Sequence, residues 1–420
     1  MLDQNPKIQN HIAVFLQNGL IKKIPYILQK FNLKLHDIIL VTDENIWNHN
    51  LQFFEENFIK KFGDFLILKN PQADENSVNK IIYKSQNYRF ILAFGSGTIN
   101  DLCKYSAKKL NINYAIITSA LSMNGYVSKN ASITVKKHKK TLEAKLPIAV
   151  FSDYKILQNA PANLNKAGLA DVLCFYSCYF DLAINEQIFL NKNCDYAIKM
   201  QLKIIKKFEQ NLANLKFNDR NFLKFLHKMI INSGWAMTCA KSSSVASQSE
   251  HLLAHLLQMQ HSFFKNELHG ELVAKTTIEC LKLQEIFLEY FEKNIFLDFF
   301  DNFLQEILQI EFSKKIFDNF EIETALEMVK EYKLKRDYIA NNYQKIQKNL
   351  QKNHDNIYKI LIKSSTKVDF LENIFKKFDV KYEFDFSEVG FSKIQLEQSK
   401  ILAKFIRNRI TILDFNFNIY

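Results

Sequence analysis

The segment Ser249–Gly270, SEHLLAHLLQMQHSFFKNELHG, carries four of the chain's ten histidines, at positions 251, 255, 261 and 269. Imidazole binds metals when neutral and exchanges protons near neutral pH, so this density points to one or both of those chemistries. A catalytic metal site needs imidazoles and carboxylates converging from rigid elements, with one coordination position left open. His251 and His255 stand four apart in an apolar stretch, on one face of an expected helix. His269 comes 18 residues after His251, ahead of Gly270 and a second helical stretch, so two helices side by side would bring rings 251 and 269 together. The missing carboxylate is sought in KAGLADVLCFY, where Asp171 is an acid inside an apolar run and an unpaired charge would be costly. Each residue alone also fits a plainer role: a salt bridge or helix cap for Asp171, a hydrogen-bonded core position for a histidine. Together they make a set of two histidines and one carboxylate. His261 has no assignable role.

A second group lies in RFILAFGSGTINDLCKY, where an apolar strand runs into Gly95-Ser96-Gly97 and then a helix. Two glycines let the backbone turn sharply and approach a ligand, and the N–H groups that open the helix can hold a pyrophosphate. The spacing is neither GxGxxG nor that of a P-loop, so an ordinary tight turn is an equal reading, with Asp101 a favourable charge near the helix start. Asp43, at the end of another candidate strand, either binds ribose hydroxyls and repels a 2′-phosphate, favouring NAD over NADP, or caps the next helix.

Apolar runs at His11–Leu16, Asp37–Thr42, Asp64–Leu68, Arg89–Phe94, Tyr114–Thr118 and Pro147–Phe151 read as strands, with helical stretches such as Leu20–Phe31 and Ser77–Ser85 between several of them. That alternation predicts a mostly parallel sheet with helices on its faces, an architecture that binds nucleotides at the carboxyl ends of its strands. After Pro161 apolar residues recur at helical spacing to about residue 375, which predicts an all-helical region. The division is therefore an α/β domain over 1–155 and a helical domain over 156–420. Within the latter, the tail 376–420 mixes a possible strand, a helix and the apolar run DFNFNIY. The Phe-rich stretch Ile286–Phe312 reads as core or subunit interface, and a homo-oligomer is expected.

A chain of 420 residues exceeds what one hydrophobic core supports, consistent with two domains. The net charge of +12 is spread along the sequence, and its densest run, Lys136 to Lys140, lacks zinc-finger spacing or stacking aromatics. Nucleic acid is excluded as a partner on that ground. Six cysteines without a CxxC pair read as reduced thiols of a cytoplasmic protein. Neither a signal-peptide pattern at the N-terminus nor an uninterrupted apolar run of membrane-spanning length is present, so a soluble protein without membrane insertion is expected.

Several ordered segments carry a family resemblance over about residues 10 to 275. FGSGTINDLCKY resembles a Gly-Gly-Gly-x-x-x-Asp-x-x-Lys nucleotide loop, ITSALSMNGYVSKNASI a Pro-Thr-Ala-x-Ser-Met-Asp-Gly-Tyr-x-Ser segment, and APANLNKAGLADVLC a Pro-x-x-x-x-x-Ala-Gly-x-Gly-Asp-Leu segment. SSSVASQSEHLLAH and LHGE are similar to Ser-Ser-x-Pro-Ala-Ser-Gly-Ser-Glu-His and His-Gly-Glu. In combination they resemble the glycerol-1-phosphate dehydrogenases, within the superfamily of iron-containing alcohol dehydrogenases and dehydroquinate synthases. The resemblance implies a Rossmann-like nucleotide-binding domain followed by an all-α metal-binding domain, the dehydroquinate synthase-like fold. It assigns Asp171, His251 and His269 to one divalent metal, zinc by preference with nickel or iron as alternatives, and implies NAD or NADP as cofactor. Gly95, Ser96, Gly97 and Asp101 fall on the pyrophosphate loop, Asp43 on the adenosine ribose, and Thr118, Ser119 and Ser122 beside the cofactor. Asn124 and Asp171 fall on substrate positions, and His255 on a substrate-contact and proton-transfer position.

Four departures stand out: Ser96 replaces a glycine, Asn124 an aspartate, Val245 a proline and Gln248 a glycine. The implied reaction is reversible hydride transfer between a nicotinamide and C2 of dihydroxyacetone phosphate, with Lys140 or a neighbouring lysine near the phosphate. Asn124 keeps open a related polyol or sugar phosphate as substrate, or a cyclase that recycles bound NAD. A metal-stabilised protein that binds a nucleotide without catalysis is a further alternative.

Overall fold

A computed structural model describes residues 12–55, 57–135, 138–265, 267–292, 300, 304, 320–386 and 390–415. The chain forms two compact units: Met1–Val172 with Lys199–Lys241, and Leu173–Ile198 with Ser242–Tyr420. The boundary therefore differs from a single cut at residue 155, because each unit is built from two separate stretches of chain.

In the first unit six strands form one parallel sheet: β1 (Ala13–Gln17), β2 (Ile38–Asp43), β3 (Asp64–Leu68), β4 (Phe90–Gly95), β5 (Asn113–Thr118) and, after the pair β6 (Asn130–Val135) and β7 (His138–Glu143), β8 (Ala149–Asp153). Their order is β1-β8-β5-β4-β2-β3. The expected strands agree with these to within two residues at each end. Helices α1 (Ile24–Lys30), α2 (Glu44–Asn50), α3 (Glu75–Ser85), α4 (Gly97–Leu110), α5 (Tyr154–Asn159) and α6 (Ala162–Leu173) lie in the same stretch of chain. Central strands such as β4 and β8 are buried along their whole length, while edge strands β1 and β3 are mostly half-buried. Strands covered on both faces carry unbroken apolar runs, which made them legible. The antiparallel β6–β7 pair was not expected from sequence; it pairs Asn130–Val135 with His138–Glu143 and takes in the described part of the lysine run. The remainder, Lys136 and Lys137, lies outside the described residues.

The next helices in chain order are α7 (Phe175–Gln187), α8 (Asp195–Asn211), α9 (Arg220–Ala240), α10 (Ser249–Gln260), α11 (His269–Glu292), α12 (Ile322–Ser364), α13 (Val368–Lys377) and α14 (Lys393–Ala403). The mostly helical C-terminal part is as expected. In the second unit, Leu252, Leu256, Phe287 and Phe291 from α10 and α11 share a core with Phe180, Tyr332, Ile339 and Phe415. Helix α14 opens on a capping box between Ser392 and Gln395. No strand occurs among the described residues of the tail, in contrast to the strand that its sequence pattern suggests. Most of Ile286–Phe312 and the end of DFNFNIY lie outside the described residues. Ala162–Gln187 is long and apolar enough to cross a membrane by composition, yet 94% of its most apolar window is buried inside the protein. That burial is what a core helix requires.

Candidate functional site

At the end of β4 the chain turns through Gly95, Ser96 and Gly97 directly into α4. A side chain at Gly95 would collide with Ile99 in the first turn of α4, so the tight turn depends on glycine there. Ser96 has φ −105°, a value any residue adopts, which accounts for serine in a glycine position. The first helical bond runs from Asn100 N–H to the Ser96 carbonyl, so the amides just before it point out of the helix start. A Cβ on Gly97 would meet Met123 at 3.4 Å, ordinary contact distance, so folding does not demand glycine at that position. The turn's geometry fits a pyrophosphate cradle.

Asp101 serves the loop in a different way. Its carboxylate accepts the Ser132 N–H at 2.9 Å and pairs with Lys104 at 3.1 Å. Lys104 is fully buried and donates to the Gly125 carbonyl at 2.9 Å. Asp101 thereby ties β6 and the Asn124–Gly125 turn to α4. Asp43 caps α2 by accepting the Ile46 N–H at 2.8 Å, and burial raises its carboxyl above the usual range. Thr118 hydrogen bonds Ser152 at 2.8 Å and so ties β5 to β8, while Ser119 N–H reaches the Gly95 carbonyl at 3.0 Å and braces the loop. Ser122 is half-buried beside Tyr126.

Asp171, 2% exposed on α6, accepts the backbone N–H of Asn124 at 2.8 Å. That bond uses the main chain at 124 and is indifferent to whether the side chain is amide or acid. Helix α6 can approach this turn because residue 168 is glycine: a Cβ there would strike the Leu121 carbonyl. Asn165, one turn earlier, accepts the Leu121 N–H at 2.9 Å and donates to the Leu157 carbonyl at 2.9 Å. Sequence reasoning assigned no role to Asn165 or Gly168.

In the second unit, α10 and the start of α11 bring three imidazoles together. Ring centroids of His251 and His269 are 5.3 Å apart, those of His255 and His269 5.2 Å, and those of His251 and His255 6.1 Å. His251 Nδ1 lies 3.0 Å from Glu250 Oε1, and Glu250 is completely buried. Donation from Nδ1 to the carboxylate fixes the tautomer that leaves Nε2 with a lone pair, the arrangement that orients a metal-binding histidine. Glu250 also accepts the Gln248 N–H at 2.7 Å. The sequence held a signal for it, an acid in an apolar helix, which is the reasoning applied to Asp171. Cys174, Glu250 and His251 form a second buried group of potential ligand atoms, all within 4.8 Å of one another. His261 stands apart, its ring 4.9 Å from that of Phe391, and burial lowers its pKa. Lys140 lies on β7, paired in register with Ile133.

The loop before α10 absorbs both of its departures. Val245 is buried, and Gln248, at φ −134°, donates its side-chain amide to the Ser244 carbonyl at 2.9 Å. Asp181 on α7 accepts the Ser249 N–H at 3.0 Å, and burial, with the charge of Glu250, raises its carboxyl to about 8.

Residues 15–161 match the family model described as iron-containing alcohol dehydrogenase. The glycerol-1-phosphate dehydrogenase of Metallosphaera sedula is 28% identical over 280 residues, 65% of this chain and 78% of that one. In sequence the chain is similar to the glycerol-1-phosphate dehydrogenases. The enzyme of the same name from Pyrococcus furiosus is 30% identical, over 53% of this chain and 64% of its own length. Among solved structures, sulfoacetaldehyde reductase from Bifidobacterium kashiwanohense, in complex with NAD+, superposes with a TM-score of 0.57 at 11% identity, covering 96% of this chain and 95% of that one. Glycerol dehydrogenase from Schizosaccharomyces pombe gives 0.56 at 14% identity, covering 97% of this chain and 86% of that one. These likenesses show that the chain has the fold of the iron-containing alcohol dehydrogenases.

Proposed function

We propose that the protein is a metal-dependent, NAD(P)H-linked dehydrogenase that reversibly reduces dihydroxyacetone phosphate to sn-glycerol-1-phosphate. The observation that carries the reading is the histidine cluster, with His251 oriented by a buried carboxylate. The substrate comes from the names of the sequence relatives. Asp171, His251 and His269 would hold one divalent ion, an N/O donor set that suits zinc and also nickel or iron. When bound, such an ion polarises a carbonyl oxygen as a Lewis acid.

The roles of this chain's own residues follow. The turn Gly95-Ser96-Gly97 holds the cofactor's pyrophosphate, and Asp43 faces its adenosine ribose while capping α2. Asp101, Thr118, Ser119 and Ser122 shape the loop around the cofactor. Asn124 contacts substrate from a turn fixed by Asp101, Lys104 and Asp171. His255, stacked on His269 at an interplanar angle of 17°, delivers or removes the proton at the substrate oxygen. The six free cysteines fit a reducing, cytoplasmic location.

The test is oxidation of NADH with dihydroxyacetone phosphate, using zinc-loaded protein beside a His251→Ala variant. Turnover that the substitution abolishes supports the reaction and the metal site together. Absence of turnover from folded, metal-loaded protein with both NADH and NADPH would overturn the substrate assignment.

A further inference from the structure

The first turn of α10 projects Glu250 and His251, and much of what secures it comes from the far end of the chain. Arg409 reaches back across 162 residues, donating from Nη1 to the Ser247 carbonyl and, at 3.0 Å, to Ser247 Oγ. Its Nη2 donates to Ser243 Oγ at 2.7 Å. One planar guanidinium thus spans the loop from Ser243 to Ser247, with geometry that a lysine's single ammonium does not reproduce. Asp181 makes a second tie between the same partners: one oxygen accepts the Ser249 N–H at 3.0 Å, the other the Ile412 N–H at 2.9 Å.

The segment is itself anchored. Asn185 donates to the Ile410 carbonyl. Asp414 accepts the Thr411 N–H at 2.8 Å and pairs with fully buried Lys335 at 2.7 Å. Ser247 is followed by Gln248, whose N–H meets Glu250 Oε1, the same oxygen that faces His251 Nδ1. A continuous path of hydrogen bonds and main chain therefore runs from Arg409 to the His251 ring.

We propose that the C-terminal segment Arg409–Asp414 is a positioning element for the metal-binding helix, with Arg409 and Asp181 jointly setting the turn from which Glu250 and His251 project. This rests on the reading of His251 as a metal ligand. Arg409 acts through the Ser243–Ser247 loop and is a positioning residue.

The experiment measures zinc affinity by competition with a chromophoric chelator, alongside melting of the metal-free protein, on the full chain. Arg409→Lys, and separately the double variant Ser243→Ala/Ser247→Ala, are expected to weaken zinc about tenfold, the usual effect of losing support behind a ligand. A control, Leu371→Ala, removes a fully buried side chain on α13 and should lower the melting temperature while leaving zinc affinity unchanged. Zinc affinity retained in both loop variants, or lost in the control in proportion to its lower melting temperature, overturns the positioning role. His251→Ala separates the two levels. If it too retains full zinc affinity, the metal reading fails. If it alone loses zinc, the reading stands and only the positioning role fails.

Discussion

At the scale of single residues, the clustered histidines are oriented by buried polar neighbours. Glu250 shows this. Its carboxylate is fully buried and faces both His251 and the Gln248 amide, so replacing it with an isosteric amide keeps volume but removes the charge that favours Nδ1–H donation. Glu250→Gln is expected to fold and to bind zinc about 10- to 100-fold more weakly, measurable by chelator competition. Gly97 offers the opposite test. A Cβ there meets only Met123 at ordinary distance, so Gly97→Ala should melt like the parent, yet bind NADH at least about tenfold more weakly because the added methyl blocks close approach of the pyrophosphate. Equal NADH affinity by fluorescence titration would show that the turn is only a turn. Away from both groups, His227 on α9 is buried, and burial lowers its pKa from 6.5 to about 4. The folded state then binds fewer protons than the unfolded chain between those values. Its contribution is therefore present above pH 6.5 and lost as pH falls through about 4, amounting to ~3 kcal/mol. Melting temperature against pH should fall over that window, and His227→Leu should flatten the fall.

At the scale of elements, what was legible in the sequence followed from local pattern. The strands of the parallel sheet are apolar runs of strand length, and the helices α10 and α11 announce themselves by periodicity, which is why the pairing of His251 with His269 could be anticipated. The β6–β7 pair was hidden because its second strand, HKKTLE, has no apolar alternation; only Ala131 and Ile133 of the first strand are buried on one face. Arg409 and Asp181 were equally invisible, since their partners lie 68 to 231 residues away and nothing in their local sequence announces them. Gly168 belongs to the same class. In KAGLADVLC it reads as a family marker, and only the approach of α6 to the Leu121 carbonyl gives it a physical cause. Gly168→Ala must push α6 off the 121–124 turn, a displacement that costs about 1–3 kcal/mol or more in a packed interior. The expected outcome is a clear drop in melting temperature together with weaker zinc binding, because Asp171 sits one turn further along α6. A variant that melts and binds zinc like the parent would contradict that coupling.

At the scale of the whole molecule, the order of segments matters as much as their content. A reading by pattern ends the nucleotide domain near residue 155, where strands stop. The compact unit continues through α6 and takes up Lys199–Lys241 as well. The reason lies in the loop after β5. Its main-chain groups are satisfied by Asn165 at Leu121, by Asp171 at Asn124 and by Thr238, whose hydroxyl donates to the Val127 carbonyl at 2.9 Å. A fragment 1–155 keeps the six strands and the Gly95–Gly97 turn but leaves those buried groups without partners, each at a cost comparable to a lost hydrogen bond of about 1–3 kcal/mol. It also uncovers the buried Val127, which lies against Gly234 of α9. A fragment 1–241 retains every one of these contacts. Expressed separately, 1–155 is expected to be insoluble or to melt without a cooperative transition, whereas 1–241 should unfold cooperatively and bind NADH. Cooperative unfolding and NADH binding by 1–155 would show instead that the parallel sheet organises its own cofactor loop, and that α6 and α9 matter only to the substrate side of the turn.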